Sequence, residues 1–202
     1  MAGKSESVGG VYEGEHISVS KKIRQNDSCI VGEIWELIPN TDFAYVSSVG
    51  KSIKIFEEGI SNYTGIKYAT ATVNCTSAIH LSLLLAGVKE EDEVITQSFN
   101  FIAGANAISY CRAHPVFVDI DKDSLTMSPV KLKYFLETNY EIREDGKCWN
   151  RVTNKRLTAC LPMNSYGFPA DVKGLKKICD DFQIKLLEDS AESLGSFQDN
   201  KH

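Results

Sequence analysis

The sequence predicts an α/β fold, a mostly parallel sheet with helices on both faces. Two observations predict it. From Lys67 onward, strand-like and helix-like segments alternate along the chain. The 202 residues are 43% hydrophobic and 24% charged, ordinary for a globular chain that can bury a core without disulfide or metal staples. That length allows one large domain or two small ones.

The elements follow in order. Residues 1 to about 28 are polar and weakly patterned, which predicts poor order. Val31 to Ile38 reads as a short helix or strand, and Tyr45 to Gly50 as a small-residue loop. Ile53, Phe56, Glu57 and Ile60 set a helical period that ends near Tyr63-Thr64-Gly65. Tyr68 to Val73, rich in Thr and Val, suits a strand. Thr76 to Ala86 is a Leu-rich helix closed by Gly87. Glu93 to Thr96 is a short strand, Phe101 to Ser109 a buried helix, and Pro115 to Asp119 a strand. Ser128-Pro129 opens a helix through Leu132, Phe135 and Leu136, with Ser as N-cap and Pro at the first helical position. Glu141 to Arg156 breaks the rhythm as an inserted hairpin, with Asp145-Gly146 and Thr153-Asn154 as turns. Leu157 to Leu161 is a strand. Asp171 to Phe182 is a helix with Val172, Leu175, Ile178 and Cys179 on one face, and Ile184 to Leu187 is an apolar strand.

Several function classes are disfavoured. The net charge of −5 argues against a non-specific nucleic-acid binder. The six cysteines form no C-x-x-C pair and the four histidines no ligand spacing, so a zinc site is not expected. Cys111, Cys160 and Cys179 lie beside or within apolar runs and read as reduced core thiols. The first residues lack an apolar signal segment, and the longest apolar stretch, Leu81 to Val88, is far below the ~20 residues of a membrane span. A soluble, cytoplasmic protein is expected.

In an open α/β sheet, ligands bind beyond the C-terminal ends of the strands. Three strand exits therefore matter. At Asn74-Cys75-Thr76-Ser77, free N–H groups at the start of the following helix and two hydroxyls make a phosphate cup; the alternative is simple capping by Asn74 or Thr76. At Gln97 to Phe101, Phe101 can stack on a planar ring; the alternative is core packing. At Glu188 to Glu192, Asp189 follows an apolar strand. A partly desolvated carboxylate there needs a cationic or charge-assisted partner such as a protonated ring nitrogen; the alternatives are a salt bridge or an N-cap.

Together these segments resemble the DegT/DnrJ/EryC1/StrS sugar aminotransferases, pyridoxal-phosphate enzymes of fold type I. The resemblance runs from about Tyr45 to His202. It rests on Asn74 to Leu81, Gly87 to Ile95, Ser98 to Phe101 with Ala105 to Ile108, Pro115 to Asp121, Tyr166-Gly167 with Pro169 to Asp171, and Leu187 to Gly195. The inserted hairpin, the Ser47 to Gly50 loop and the ending Glu192-Ser193-Leu194-Gly195 look most like members that aminate 4-keto-6-deoxy nucleotide sugars, of the perosamine, bacillosamine or legionaminic-acid precursor type.

The resemblance implies the large cofactor domain over residues 41–202, with the hairpin inserted at about 140–157 and a poorly matched segment before it. It implies that Thr76 and Ser77 hold the cofactor phosphate, Phe101 stacks on the pyridine ring, and Asp189 pairs with the ring nitrogen. Glu192 would lie near the ring hydroxyl, and Asn164 would line the substrate side. It also implies a nucleotide-sugar substrate, glutamate as amino donor, and a homodimer.

Three departures accompany it. Cys75 stands where the pattern has Gly, so a β-carbon crowds the cup. Gly104 replaces a commoner Thr or Ser. The Schiff-base lysine of the family lies downstream of the Asp189 motif, and Lys201 reads as part of a surface turn; the small C-terminal domain is likewise not in this sequence. Two readings are therefore carried. One is a fragment of a nucleotide-sugar aminotransferase; the other is a non-catalytic, partner-binding remnant. A nicotinamide-binding Rossmann enzyme is disfavoured, because no G-x-G-x-x-G follows the first strand.

Overall fold

The computed structural model describes residues 16–23, 29–35 and 51–197, with side chains from residue 53. The Tyr45 to Gly50 loop and Lys201 lie outside the described residues. In chain order the elements are β1 (His16–Ile23), β2 (Cys29–Trp35), α1 (Lys51–Thr64), β3 (Tyr68–Thr72), α2 (Cys75–Leu85), β4 (Glu93–Gln97), α3 (Ile102–Tyr110), β5 (His114–Val118) and α4 (Pro129–Asn139). Then come β6 (Tyr140–Ile142), β7 (Cys148–Asn150), β8 (Arg156–Leu161), a 3-10 turn (Ser165–Gly167), α5 (Val172–Asp181) and β9 (Lys185–Glu188).

The main sheet runs β3-β2-β1-β9-β8-β4-β5. Its best-packed part is the parallel set β9-β8-β4-β5. Side chains that alternate along these strands feed two cores, as the two-residue period of a strand requires. Ile95, Cys160 and Leu186 face Leu132 and Leu136 of α4 and Leu175, Ile178 and Cys179 of α5. Their neighbours Val94, Ala159, Leu161 and Leu187 face Ile79 and Leu83 of α2 and Ala107 and Ile108 of α3. Helices thus cover both faces, as the alternation predicts. Cys160 and Cys179 are fully buried and Cys111 nearly so, the core role expected of them.

The sheet is more mixed than expected. β1 runs antiparallel to both of its neighbours, β2 and β9, while β2 is parallel to β3. The segment read as weakly patterned therefore contributes a strand, β1, and Val31 to Trp35 of the segment read as a short helix or strand belong to the strand β2. His16-Ile17-Ser18-Val19 alternates polar and apolar residues, a strand period short enough to pass unnoticed beside the charged Lys21-Lys22. These strands separate β3 from β9, and α2 packs across both of them.

The helix starts follow capping chemistry. The Ser128 hydroxyl accepts the Lys131 N–H at 3.4 Å, and Pro129 occupies the first turn of α4. The Asp171 carboxylate accepts the Gly174 N–H at 2.9 Å at the start of α5. Gly87 ends α2 with φ +85, a conformation that L side chains rarely adopt.

The inserted hairpin is the β6–β7 pair, turning at Asp145-Gly146. β7 also pairs antiparallel with Arg156 and Leu157 at the start of β8, so the insert hangs from the end of the sheet opposite the strand exits.

Candidate functional site

The three strand exits converge at the C-terminal ends of the parallel strands. At the first, Asn74 has extended backbone (φ −165) and its Oδ1 accepts the Ser77 N–H at 2.7 Å. Asn74 is therefore the cap, and the cap does not consume the Thr76 and Ser77 hydroxyls. Those hydroxyls sit in the first turn of an eleven-residue helix, where the N-terminal partial positive charge is concentrated.

At the second exit, α3 begins one residue later than predicted, and Phe101 becomes its N-cap residue. Phe101 is 70% exposed, which excludes the core-packing alternative. It lines a cavity of about 200 Å³ together with Phe99, Asn100, Met163, Ser165, Tyr166 and Glu192. Gly104 has a local reason. A β-carbon there would lie 3.2 Å from Asn100 Nδ2, which donates to Thr96 Oγ1 at 3.1 Å. Asn100 thus takes up space that a Thr or Ser at position 104 would contest.

At the third exit, Asp189 is only 3% exposed. Its backbone is fixed from both sides: its N–H donates to Pro162 O at 2.8 Å and its carbonyl accepts the Asn164 N–H at 2.9 Å. Asp189 Oδ1 accepts the Ala191 N–H at 3.4 Å, and the Cys75 thiol donates to the same oxygen at 3.9 Å. Cys75 is the first residue of α2, so this contact brings the start of α2 and the buried carboxylate together although β3 and β9 are not sheet neighbours.

Glu192 is exposed on the cavity wall, and its Oε2 accepts the Tyr166 N–H at 2.7 Å. Asn164, expected on the substrate side, is 5% exposed and not among the cavity residues. Its Nδ2 donates to Ser190 Oγ at 3.1 Å and Ser193 Oγ at 3.0 Å, and its Oδ1 accepts the Ala170 N–H at 2.8 Å. With its amide fully engaged, Asn164 braces the loop after β9 against the loop after β8.

Two residues that the sequence reading named without a role support the cavity. Gln97, fully buried, accepts the Met127 and Met163 N–H groups, each at 3.1 Å, and donates to Phe99 O at 2.9 Å and Ser165 Oγ at 3.1 Å. It fixes both loops of the cavity. Tyr166 sits at φ 53, ψ 28, and its ring contacts Phe99 at a centroid distance of 6.0 Å. Such backbone in a bulky residue persists only where the surroundings impose it, here through Glu192. The Tyr166-Gly167 pair is the only sequence signal for that turn.

Phe101 and Glu192 line the cavity, whereas Thr76, Ser77 and Asp189 are not among its lining residues, and the Cys75–Asp189 contact joins that second group. A helix N-terminus with two hydroxyls, a buried carboxylate beside it and an exposed aromatic ring are the kinds of group that a phosphorylated pyridine requires. The fold is the one shared by pyridoxal-phosphate-dependent aminotransferases. The comparisons name the family: residues 40–202 match the DegT/DnrJ/EryC1/StrS aminotransferase family, and the chain belongs to it.

EpsN of Bacillus subtilis, provisionally named a pyridoxal phosphate-dependent aminotransferase, is 37% identical over 157 residues, 78% of this chain and 38% of its own length. GDP-perosamine synthase of Vibrio cholerae is 34% identical over 160 residues, covering 79% and 39%. Among solved structures, 3-amino-5-hydroxybenzoic acid synthase superposes with a TM-score of 0.64 at 27% identity, over 76% of this chain and 35% of that one. NtdA of Bacillus subtilis with bound PMP gives 0.62 at 26%, over 73% and 30%. The chain thus spans under two fifths of the length of these relatives. Among the described residues, no helix is long and apolar enough to cross a membrane.

Proposed function

We propose that this chain is the cofactor-holding part of an enzyme that transfers an amino group to a keto nucleotide sugar. The observation that carries the proposal is the Cys75–Asp189 contact, which sets the start of α2 against a carboxylate that is 3% exposed. In this reading the Thr76 and Ser77 hydroxyls and the first N–H groups of α2 hold the phosphate of pyridoxal phosphate. Phe101 covers one face of the ring. Asp189 holds a proton on the ring nitrogen, since a charge-assisted bond in a desolvated site favours the ionised pair. The bound cofactor then supplies an electron sink for the carbanion of transamination. Glu192 faces the ring hydroxyl while its Oε2 holds the Tyr166 backbone. Gln97 and Asn164 keep these loops in place through their hydrogen bonds.

A nucleotide sugar as amino acceptor is supported by the names of the GDP-perosamine synthase relatives, and glutamate as donor by the family resemblance. A homodimer is part of the same reading. A second reading, a non-catalytic remnant that associates with a partner chain, draws on one observation: no lysine lines the cavity among the described residues.

Titration with pyridoxamine phosphate, which needs no lysine linkage, tests the site. Binding to the 202-residue chain is expected, weakened about tenfold or more by Asp189→Asn and by the Thr76→Ala/Ser77→Ala pair, the loss of a charge-assisted contact. Equal binding by all three proteins refutes these roles. In a polypeptide that completes the fold, Asp189→Asn is expected to abolish amination, and near-normal turnover would show the assignment to be wrong.

A further inference from the structure

Residues inside the family match build two strand groups that do not meet in the sheet, β3 on one side and β9-β8-β4-β5 on the other. β1 and β2, which precede the match, stand between them. β3 and β9 are therefore three strand spacings apart, roughly 14 Å. The superposition on a solved relative takes in 76% of this chain. Residues 93–202 hold just over half of it, so the shared fold includes residues before β4.

Such a slot cannot stay open. N–H and C=O groups along β9 would face it unpaired, in a strand whose Leu187 is fully buried. A family member without counterparts of residues 16–35 must fill the slot from elsewhere in its own length. This chain spans 39% of the GDP-perosamine synthase of Vibrio cholerae.

The β1–β2 pair is held unevenly. β2 meets β3 over five consecutive residue pairs, from Cys29 opposite Tyr68 to Glu33 opposite Thr72. β1 meets β9 over two, Lys22 opposite Glu188 and Ile23 opposite Leu187, just past the register shift between Val19 and Lys22. Few paired residues make a seam that opens locally at low cost. The helix above the slot does not depend on the pair alone. α2 lies across β1 and β2, but its Ile79 and Leu83 also pack with Leu161 and Leu187 of the larger group.

We propose that the space between β3 and β9 is a strand-exchange site. β1 and β2 hold it in this chain by itself, and a polypeptide carrying the part of the family's length that this chain does not span supplies two strands in their place. The slot sets the partner's chemistry: two adjacent strands, apolar on the side that meets Ile79 and Leu83 of α2, bound through main-chain hydrogen bonds. The proposal rests on the sheet order and the family membership, not on the cofactor roles, and its failure leaves those roles standing.

The probe is the purified segment of the Vibrio cholerae GDP-perosamine synthase that follows its matched part. Hydrogen exchange by mass spectrometry reads the 202-residue chain with and without it. Alone, β1 amides are expected to exchange about tenfold or more faster than those of β4 and β8. With the probe, residues 16–35 are expected to lose protection while β3 and β9 keep theirs. A Lys22→Cys/Glu188→Cys variant staples β1 to β9 at paired positions. Oxidised, it is expected not to bind the probe; reduced, it is expected to bind like the wild type. Circular dichroism checks that the variant is folded, and intact mass confirms the staple.

β1 amides as slow as those of β4 overturn the exchange. So does the absence of probe binding by the wild type, or equal binding by the stapled form, which would place the contact elsewhere. Failure of the staple to form contradicts the register on which the slot is built. A dimer in which residues 16–35 of one copy protect β3 and β9 of the next would make a second copy the occupant and overturn the assignment of the partner.

Discussion

The carboxylate of Glu93 gives the most quantitative test of how the inserted hairpin is held. Glu93 opens β4 and is 3% exposed. Its Oε2 accepts the Tyr140 hydroxyl at 2.6 Å and Asn150 Nδ2 at 2.9 Å, and its Oε1 accepts the Thr153 hydroxyl at 2.7 Å. All three donors come from the insert or its edges, so one side chain of the parallel sheet ties the hairpin down. Hydrogen bonds to a charged group contribute about 1.5–3 kcal/mol each, and three sharing one acceptor are not additive.

Against them stands the cost of burying the carboxylate, several kcal/mol, which the mutant no longer carries. What Glu93→Ala leaves behind is the Tyr140 hydroxyl, in a side chain that is 1% exposed, with no acceptor at Glu93. That orphaned donor alone costs about 1–3 kcal/mol, and the methylene cavity adds about 1 kcal/mol. A net loss of about 3 kcal/mol is expected. At roughly 2–4 °C per kcal/mol for a chain of this size, the midpoint falls by about 6–12 °C.

Thermal and urea unfolding of Glu93→Ala, Tyr140→Phe and the double variant measure it. Tyr140→Phe is expected to be nearly free in the Glu93→Ala background, giving a coupling of about 1.5 kcal/mol or more. A loss under about 0.5 kcal/mol for Glu93→Ala, or additivity in the cycle, refutes the clamp.

The same corner of the fold sets an alkaline limit. Burial, with the Glu93 charge adding to it, pushes the Cys148 thiol up to about 12 from an ordinary 9.0. Burial and the bond to Glu93 hold the Tyr140 phenol above its ordinary 10.0. Both groups keep their protons longer in the folded state, so their contribution is complete below about pH 9 and is lost as pH rises from about 9 through 12. Urea midpoints at pH 7.5, 9.5 and 11 are expected to fall in that order, and a flat profile contradicts the burial of these groups. Asn164→Ala removes the acceptor of the Ala170 N–H and both serine contacts; a loss of about 2–3 kcal/mol and faster proteolysis near residues 190–196 are expected, and unchanged protease resistance argues against bracing.

The parallel core was legible because its signals are local and consistent. The alternation of strand-like and helix-like segments placed helices on both faces, and Ser128-Pro129 marked a helix start that the structure uses. Asp189 stands out in the sequence because a carboxylate after an apolar strand demands a partner, and it is buried; Thr76 and Ser77 stand out because a small polar strand exit before a helix is a recognisable turn, and they lie in the first turn of α2. Phe101 was ambiguous for a physical reason. Whether an aromatic residue packs or faces a cavity depends on the exact helix start, and boundaries shift by a residue or two. Gln97 was invisible. Its four hydrogen bonds reach loops up to 68 residues away, and no local pattern encodes such a bracket.

The N-terminal strands carry the last consequence. β3 meets the rest of the sheet through β2 and β1, which precede the family match at residue 40. Residues within the match therefore build two separate strand groups, β3 on one side and β9-β8-β4-β5 on the other. The residues proposed to hold the cofactor divide along the same line, with Thr76 and Ser77 following β3, and Phe101, Asp189 and Glu192 following strands of the larger group. The distance between the start of α2 and the Asp189 carboxylate is consequently set by whatever joins those groups. In this chain that is the β1–β2 pair beneath α2, with the Ile79 and Leu83 contacts of α2 to Leu161 and Leu187. A strand pair lying outside the matched segment thus sits under the helix that completes the proposed site. The geometry of the proposed site depends on residues 16–23 and 29–35 as well as on the motifs that suggest it.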